Sequence, residues 1–176
     1  MCRAEAAAGS ISADRRSAKR VRAVLMLLRH AKSSWAEALP DRDRPLAPRG
    51  QRDASLMGAH LHAAGFAPAR VLCSPARRTR ETLALMRPHW PLPEPTFLED
   101  LYETDADALW DTIQGVGGED SLVVGHNPGL HDLLRRLVPP PDAPAKMPTG
   151  AFAAIDLERG RLLAFAAPKA LPAWRR

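Results

Sequence analysis

Two histidines and two arginines stand at matching places in this 176-residue chain, each just beyond an apolar run. Val24-Leu25-Met26-Leu27-Leu28 leads into Arg29-His30. Ala69-Arg70-Val71-Leu72-Cys73 leads into Ser74-Pro75-Ala76-Arg77-Arg78, and Ser121-Leu122-Val123-Val124 into Gly125-His126-Asn127-Pro128. In an open α/β sheet the ligand crevice lies beyond the carboxyl ends of the strands. If the three runs are neighbouring strands, Arg29, His30, Arg78 and His126 meet in one pocket. Guanidinium groups are permanently charged and bind oxyanions through paired hydrogen bonds. Helix N-termini behind two of the segments would favour an anion as well. The chemistry these residues suit is that of a dianion, phosphoryl above all.

The elements that must position them are legible in outline. Continuous apolar runs without alternation predict strands covered on both faces, the pattern of a parallel sheet. Ala54, Met57, Leu61 and Ala64 recur at helical spacing, predicting a helix over about 51–64 that stops at Gly65. Ser74-Pro75 and Asn127-Pro128 both read as an N-cap followed by proline at the first helical position. They predict helices over about 75–86 and 128–137. Between them fall a short extended piece at 96–98 and a helix over about 105–114. Residues 151–157 and 161–166 read as two strands joined by Glu158-Arg159-Gly160 in a hairpin. The alternation predicts a three-layer α/β/α sandwich around a mostly parallel, mixed central sheet.

Composition narrows the classes. Hydrophobic residues make up 45% and charged residues 26%, ordinary for one globular domain, expected over 24–170. The formal charge of +5 lies at the ends: 1–23 hold six basic against two acidic groups, and Arg175 and Arg176 close the chain. Residues 24–173 hold 17 basic against 18 acidic groups, so nucleic-acid binding is not expected of the domain. Residues 1–23 are expected to form a disordered basic tail, and 171–176 a short C-terminal one. No run approaches the roughly 18 apolar residues of a membrane span, nor the apolar core of a secretory signal. A cytoplasmic setting and a monomer or weak dimer are expected.

Metal and thiol chemistry find little support. His60 and His62 lie about 200° apart around a helix, too far to share a metal, and His126 and His131 are five residues apart. Neither a metal nor another cofactor is expected. Cysteine phosphatases use Cys-x5-Arg, but six positions after Cys73 stands Thr79, flanked by Arg78 and Arg80. Cys73 is expected to be a small buried residue.

Four motifs stand in order along the chain. They are Arg29-His30-Ala31-Lys32-Ser33; Asp43-Arg44-Pro45-Leu46 with Arg49-Gly50; Ser74 through Thr82; and Gly125-His126-Asn127-Pro128-Gly129. Together they resemble the histidine phosphatase superfamily, which is phosphoglycerate-mutase-like, and within it the short SixA-type phosphohistidine phosphatases. The resemblance runs from about Val24 to the terminal hairpin. It implies a phosphatase that works without metal through a phosphohistidine on His30. Arg29, Arg78 and His126 would then bind the phosphoryl oxygens, and the spacing Ser-x-x-x-Arg-x-x-x-Thr selects Arg78 over Arg77.

Other roles stay open at this stage. Glu103 falls where many members carry an acidic proton donor; Asp41 and Asp43 are alternatives, and so is an ordinary surface carboxylate. Lys32, Ser33 and Asn127 are candidate phosphate or substrate contacts, while Lys32 and Ser33 could equally solvate a loop. Arg44 and Arg49 could brace the loop by ion pairs with Asp41 or Asp43. Trp35 is either a substrate platform or packing at the sheet edge. The implied substrate is a phosphohistidine-bearing protein, with a small phosphate ester as alternative. A non-catalytic phosphate-binding module is the reading from another class.

Overall fold

The computed structural model describes residues 23–116 and 119–171. Residues 1–22 of the expected basic tail (1–23) and residues 172–176 of the expected C-terminal one (171–176) lie outside the described residues. Six strands form one sheet: β1 (Val24–Arg29), β2 (Arg70–Cys73), β3 (Pro95–Phe97), β4 (Ser121–Gly125), β5 (Phe152–Asp156) and β6 (Arg161–Ala166). Its order is β3-β2-β4-β1-β5-β6. The first four are mutually parallel; β5 runs antiparallel to β1, and β6 antiparallel to β5. The mixed sheet of the sequence reading is what forms.

Helices α1 (Pro48–Ala63), α2 (Arg77–Met86), α3 (Ala106–Gly115) and α4 (Gly129–Leu137) cover both faces. Strand residues alternate between the two sides, as the period of two requires. Met26 and Leu28 turn toward Met57, Leu61, Leu83 and Met86 of α1 and α2. Leu25 and Leu27 turn toward Leu109, Ile113, Leu130 and Leu134 of α3 and α4. All four strand side chains are almost wholly shielded from water, and burying each contributes about 2 kcal/mol. This two-sided burial explains why β1 and β4 lack alternation in the sequence.

Register brings the chemistry to one edge. Leu28 and Cys73 both pair with Val124, and Arg29 pairs with Gly125. The chain therefore leaves β1, β2 and β4 at the same level, carrying His30, Ser74 and His126. Beyond that level the chain turns into helices, with 3-10 turns at Asp41–Asp43, Glu99–Leu101 and Pro168–Ala170.

Two expectations about helix starts are corrected. Helix α2 begins at Arg77 with Ala76 as N-cap, and α4 begins at Gly129 with Pro128 as N-cap; neither has a side-chain cap. Ser74 stands two residues before the N-cap of α2: its Oγ accepts from the Ala76 amide at 3.4 Å and meets His126 Nε2, while Asn127, one residue before the N-cap of α4, donates to the Met147 carbonyl. Asp105, by contrast, caps α3 through bonds from the Asp107 and Ala108 amides. Helix α1 starts at Pro48, three residues earlier than its apolar pattern shows, with proline in its first turn. Its third residue must be glycine: a Cβ at Gly50 would lie 2.1 Å from the Lys32 carbonyl oxygen.

Candidate active site

A cavity of about 560 Å³ opens at the carboxyl edge of β1, β2 and β4. Of the side chains singled out in the sequence, Arg29, His30, Lys32, Ser33, Arg78, Glu103, His126 and Asn127 line it, whereas Asp43 and Arg49 do not. Trp35, Asp41, Arg44, Thr104, Asp105 and Thr149 complete much of the wall. Arg77 stays outside, exposed and paired with Glu81 at 2.7 Å.

His30 is held in one tautomer. Its Nδ1 lies 2.7 Å from the carbonyl oxygen of Ala31, which can only accept, so Nδ1 carries the hydrogen. Nε2 is left with its lone pair. The next backbone amide, that of Ala31, donates to Thr82 Oγ1 at 3.0 Å, and Thr82 donates to the Arg78 carbonyl. One threonine thus ties the histidine loop to helix α2. Burial pushes the His30 pKa down to about 4, helped by the charges of Arg78, Arg29 and Arg44 against the Ala31 bond. At neutral pH the ring is an uncharged base with a free nitrogen.

His126 lies with its ring centroid 5.1 Å from that of His30. Its Nε2 meets Ser74 Oγ at 2.8 Å. With Ser74 donating this bond, Nδ1 of the neutral ring carries the hydrogen. Burial first, then the His30 and Arg78 charges, lower the His126 pKa to about 3, although Asp41 opposes them. An arriving dianion would act as Asp41 does and favour the protonated ring.

The two arginines are anchored differently. Arg29 donates from Nη1 to the Met147 carbonyl at 2.8 Å, and Asn127 Nδ2 fixes the same carbonyl at 3.0 Å. Arg78 donates from Nη1 to the Asp41 carbonyl oxygen at 2.5 Å and from Nη2 to Asp41 Oδ2 at 2.8 Å. Arg44 takes Asp41 Oδ1 through Nε and Nη2, and Tyr102 donates to Oδ2 at 3.0 Å. Burial alone would raise the Asp41 pKa, but these bonds outweigh it and hold the carboxyl at about 2. Burial and the Asp41 charge push the Tyr102 hydroxyl up to about 12. Tyr102 also sets its ring edge-on to His126, centroids 5.6 Å apart.

Arg29 Nε, Arg78 Nε and His126 Nδ1 are buried without hydrogen-bond partners among the described residues. Three such donors around an uncharged histidine nitrogen suit a tetrahedral oxyanion, whose oxygens supply the acceptors.

The remaining candidates are placed as follows. Glu103 is exposed at the rim, on a backbone with φ of 51°, in the loop before α3. Gly129 lets α4 approach that loop, since a Cβ there would meet the Thr104 carbonyl oxygen at 2.3 Å. Ser33 is buried and bridges to Leu46, while Lys32 is exposed. Trp35 does not pack on the sheet edge: it is 73% exposed, with the Arg44 guanidinium carbon 3.5 Å from its ring centroid. Arg49 pairs with Asp53 at 3.4 Å. Cys73 is buried, and burial raises its thiol pKa to about 12, which leaves it unreactive. Among the described residues no group of three or more His, Cys, Asp or Glu could hold a metal ion, and no helix is long and apolar enough to cross a membrane.

Sequence reasoning missed the roles of Asp41 as clamp, Ser74 as the partner of His126, and Tyr102. Ser74 carried a signal in the Ser-x-x-x-Arg-x-x-x-Thr spacing. The Met147 carbonyl carried none, because any residue supplies a carbonyl.

A sandwich that gathers two arginines and two histidines at the carboxyl edge of a mixed sheet defines a phosphatase of the phosphoglycerate-mutase-like fold. The model of the histidine phosphatase superfamily (branch 1) matches residues 25–115, and the chain belongs to that family. An uncharacterized protein of Mycobacterium leprae is 36% identical over 171 residues, covering 81% of this chain and all of its own length. Among solved structures, one assigned to the phosphohistidine phosphatase SixA of Agrobacterium tumefaciens superposes with a TM-score of 0.76 at 27% identity. It covers 84% of this chain and 99% of that one. The protein histidine phosphatase SixA complexed with tungstate gives 0.72 at 26% identity, covering 83% and 97%.

Proposed function

We propose that this phosphatase works through a phosphohistidine formed on His30 and acts by preference on phosphohistidine carried by a signalling or phosphotransfer protein. The observation that carries the mechanism is the Nδ1–Ala31 bond, which presents an uncharged Nε2 among guanidinium donors. Nε2 attacks phosphorus in line, the Nε2–P bond forms, and the bond from phosphorus to the leaving group breaks. The leaving nitrogen or oxygen takes the electron pair and a proton, for which Glu103 at the rim is the proposed donor. Water then attacks phosphorus and gives a proton back to the Glu103 carboxylate; the O–P bond forms, the Nε2–P bond breaks with its electron pair returning to Nε2, and inorganic phosphate departs. Arg29, Arg78 and His126 stabilise the equatorial charge in both steps. Lys32, Ser33 and Asn127 are proposed to bound the oxyanion site, Asn127 by fixing the carbonyl that also holds Arg29.

The substrate preference rests on the likeness to the SixA structures and on the short chain between α2 and Tyr102, which leaves the cavity comparatively open to a protein side chain. An imidazole leaving group also needs little acid assistance, which suits a carboxylate as exposed as Glu103. A small phosphomonoester is the second reading, favoured by the presence of Glu103 itself, since an alkoxide needs a proton. Hydrolysis of a phosphohistidine protein and of a panel of alkyl phosphomonoesters separates them. A kcat/KM at least tenfold higher on the phosphoprotein is expected; the reverse order would overturn the preference.

A further inference from the structure

Beside the phosphoryl cavity lies a second one of about 240 Å³, walled by Lys32, Arg49, Pro148, Thr149, Pro168 and Lys169. Lys32 and Thr149 line both, so the two are neighbours. Their charges differ. The first has Asp41, Glu103 and Asp105 among its cations; the second has three cations and no carboxylate in its lining. Arg49 is partly answered from below by the buried Asp53, at 3.4 Å. Lys32 and Lys169 have no ion-pair partner among the described residues. Two ammonium groups without an ion-pair partner among the described residues thus flank a cleft that adjoins the first cavity.

The walls are fixed to the histidine strand. The Gly150 amide donates to the carbonyls of Arg29 and His30 at 3.1 and 3.0 Å, and the Ala47 amide donates to the Lys32 carbonyl at 2.8 Å. Pro168 sits so close to Gly150 that a Cβ there would lie 2.8 Å from its ring. The cleft therefore keeps a set distance from His30.

We propose that this second cleft is an accessory anion subsite, taking a carboxylate or second phosphate on the same substrate whose phosphoryl group is at His30. The inference rests on the reading of the first cavity as the phosphoryl site. The second anion would be an acidic side chain flanking the phosphorylated residue of a polypeptide, or the acid group of a small ester. Either gains from two ammonium groups in a partly shielded cleft.

Lys169 lines only the second cleft, so Lys169→Glu and Lys169→Gln probe it alone. Calorimetry with 4-phosphonobutyrate and butylphosphonate reads the subsite without chemistry. The native protein is expected to bind the carboxylated compound roughly five- to tenfold more tightly, Lys169→Gln to lose about half of that ratio, and Lys169→Glu to abolish it. Butylphosphonate should bind all three within twofold. Kinetics then names the source. With p-nitrophenyl phosphate as the neutral-flank control, Lys169→Glu should raise KM either on an acidic-flanked phosphohistidine peptide or on a carboxylated ester. No preference for 4-phosphonobutyrate in the native protein, or an equal loss of both phosphonates on substitution, overturns the subsite. Failure to turn over any phosphate would overturn the catalytic reading instead and leave the binding ratio decisive.

Discussion

The two arginines of the proposed phosphoryl site line the same cavity but are held by different chemistry. Arg29 rests on a neutral carbonyl, that of Met147, and its charge is left whole for an oxyanion. Arg78 rests on a carboxylate, and Asp41 takes two of its donors while also binding Arg44 and Tyr102. A neutral anchor fixes direction only. An ionised anchor fixes direction more firmly, because charge-assisted bonds are roughly twice as strong, but it shares the charge and repels the incoming dianion. The site thus pairs a fully available arginine with a tightly positioned one.

The largest test of this contrast is alanine at each arginine. Arg29→Ala is expected to lower kcat/KM on the order of 10³-fold and Arg78→Ala nearer 10²-fold, since Asp41 already draws on the second charge. Steady-state rates on p-nitrophenyl phosphate check it, and a larger loss at Arg78 would break the comparison. A smaller effect is expected at Asp41. Asp41→Asn removes the repulsion but loosens Arg78, so kcat should fall about tenfold while KM stays level or drops. A rise in KM with kcat unchanged would show that Asp41 does not position Arg78.

The smallest effect is one of stability. His30 and His126 have folded pKa values near 4 and 3, below the ordinary histidine value, so the unfolded chain binds protons that the folded one does not. Their contribution is complete above about pH 6.5 and is lost as pH falls from there through about 4 for His30 and about 3 for His126. Melting temperature should decline over that window, and His30→Gln should flatten the decline. An unchanged slope in that variant would place the buried histidine elsewhere in the balance.

Much of this was legible in the sequence, and the limits have physical causes. Apolar runs ending in charged residues gave β1, β2 and β4, because a strand buried on both faces leaves an unbroken pattern. Arg29, His30, Arg78 and His126 could be gathered because strand ends share an edge. The caps failed because α2 and α4 start later than the cap-plus-proline pattern predicts, at Arg77 and Gly129, which leaves Ser74 and Asn127 in the preceding turns, where they also reach across the site to His126 and the Met147 carbonyl. Asp41 was visible as an acid but not as a clamp: whether a carboxylate donates a proton or holds an arginine depends on what lies within 3 Å of it. The start of α1 at Pro48 escaped the apolar pattern because its first turn faces the Lys32 backbone, where small size matters more than hydrophobicity.

The most direct test of the account is to quench the enzyme in mid-turnover with ³²P-labelled substrate and locate the label. The account predicts one acid-labile, base-stable phosphoryl group on Nε2 of His30, absent from His30→Ala, whose turnover should fall by at least roughly 10³-fold. Label on another residue, or full turnover in His30→Ala, would contradict it.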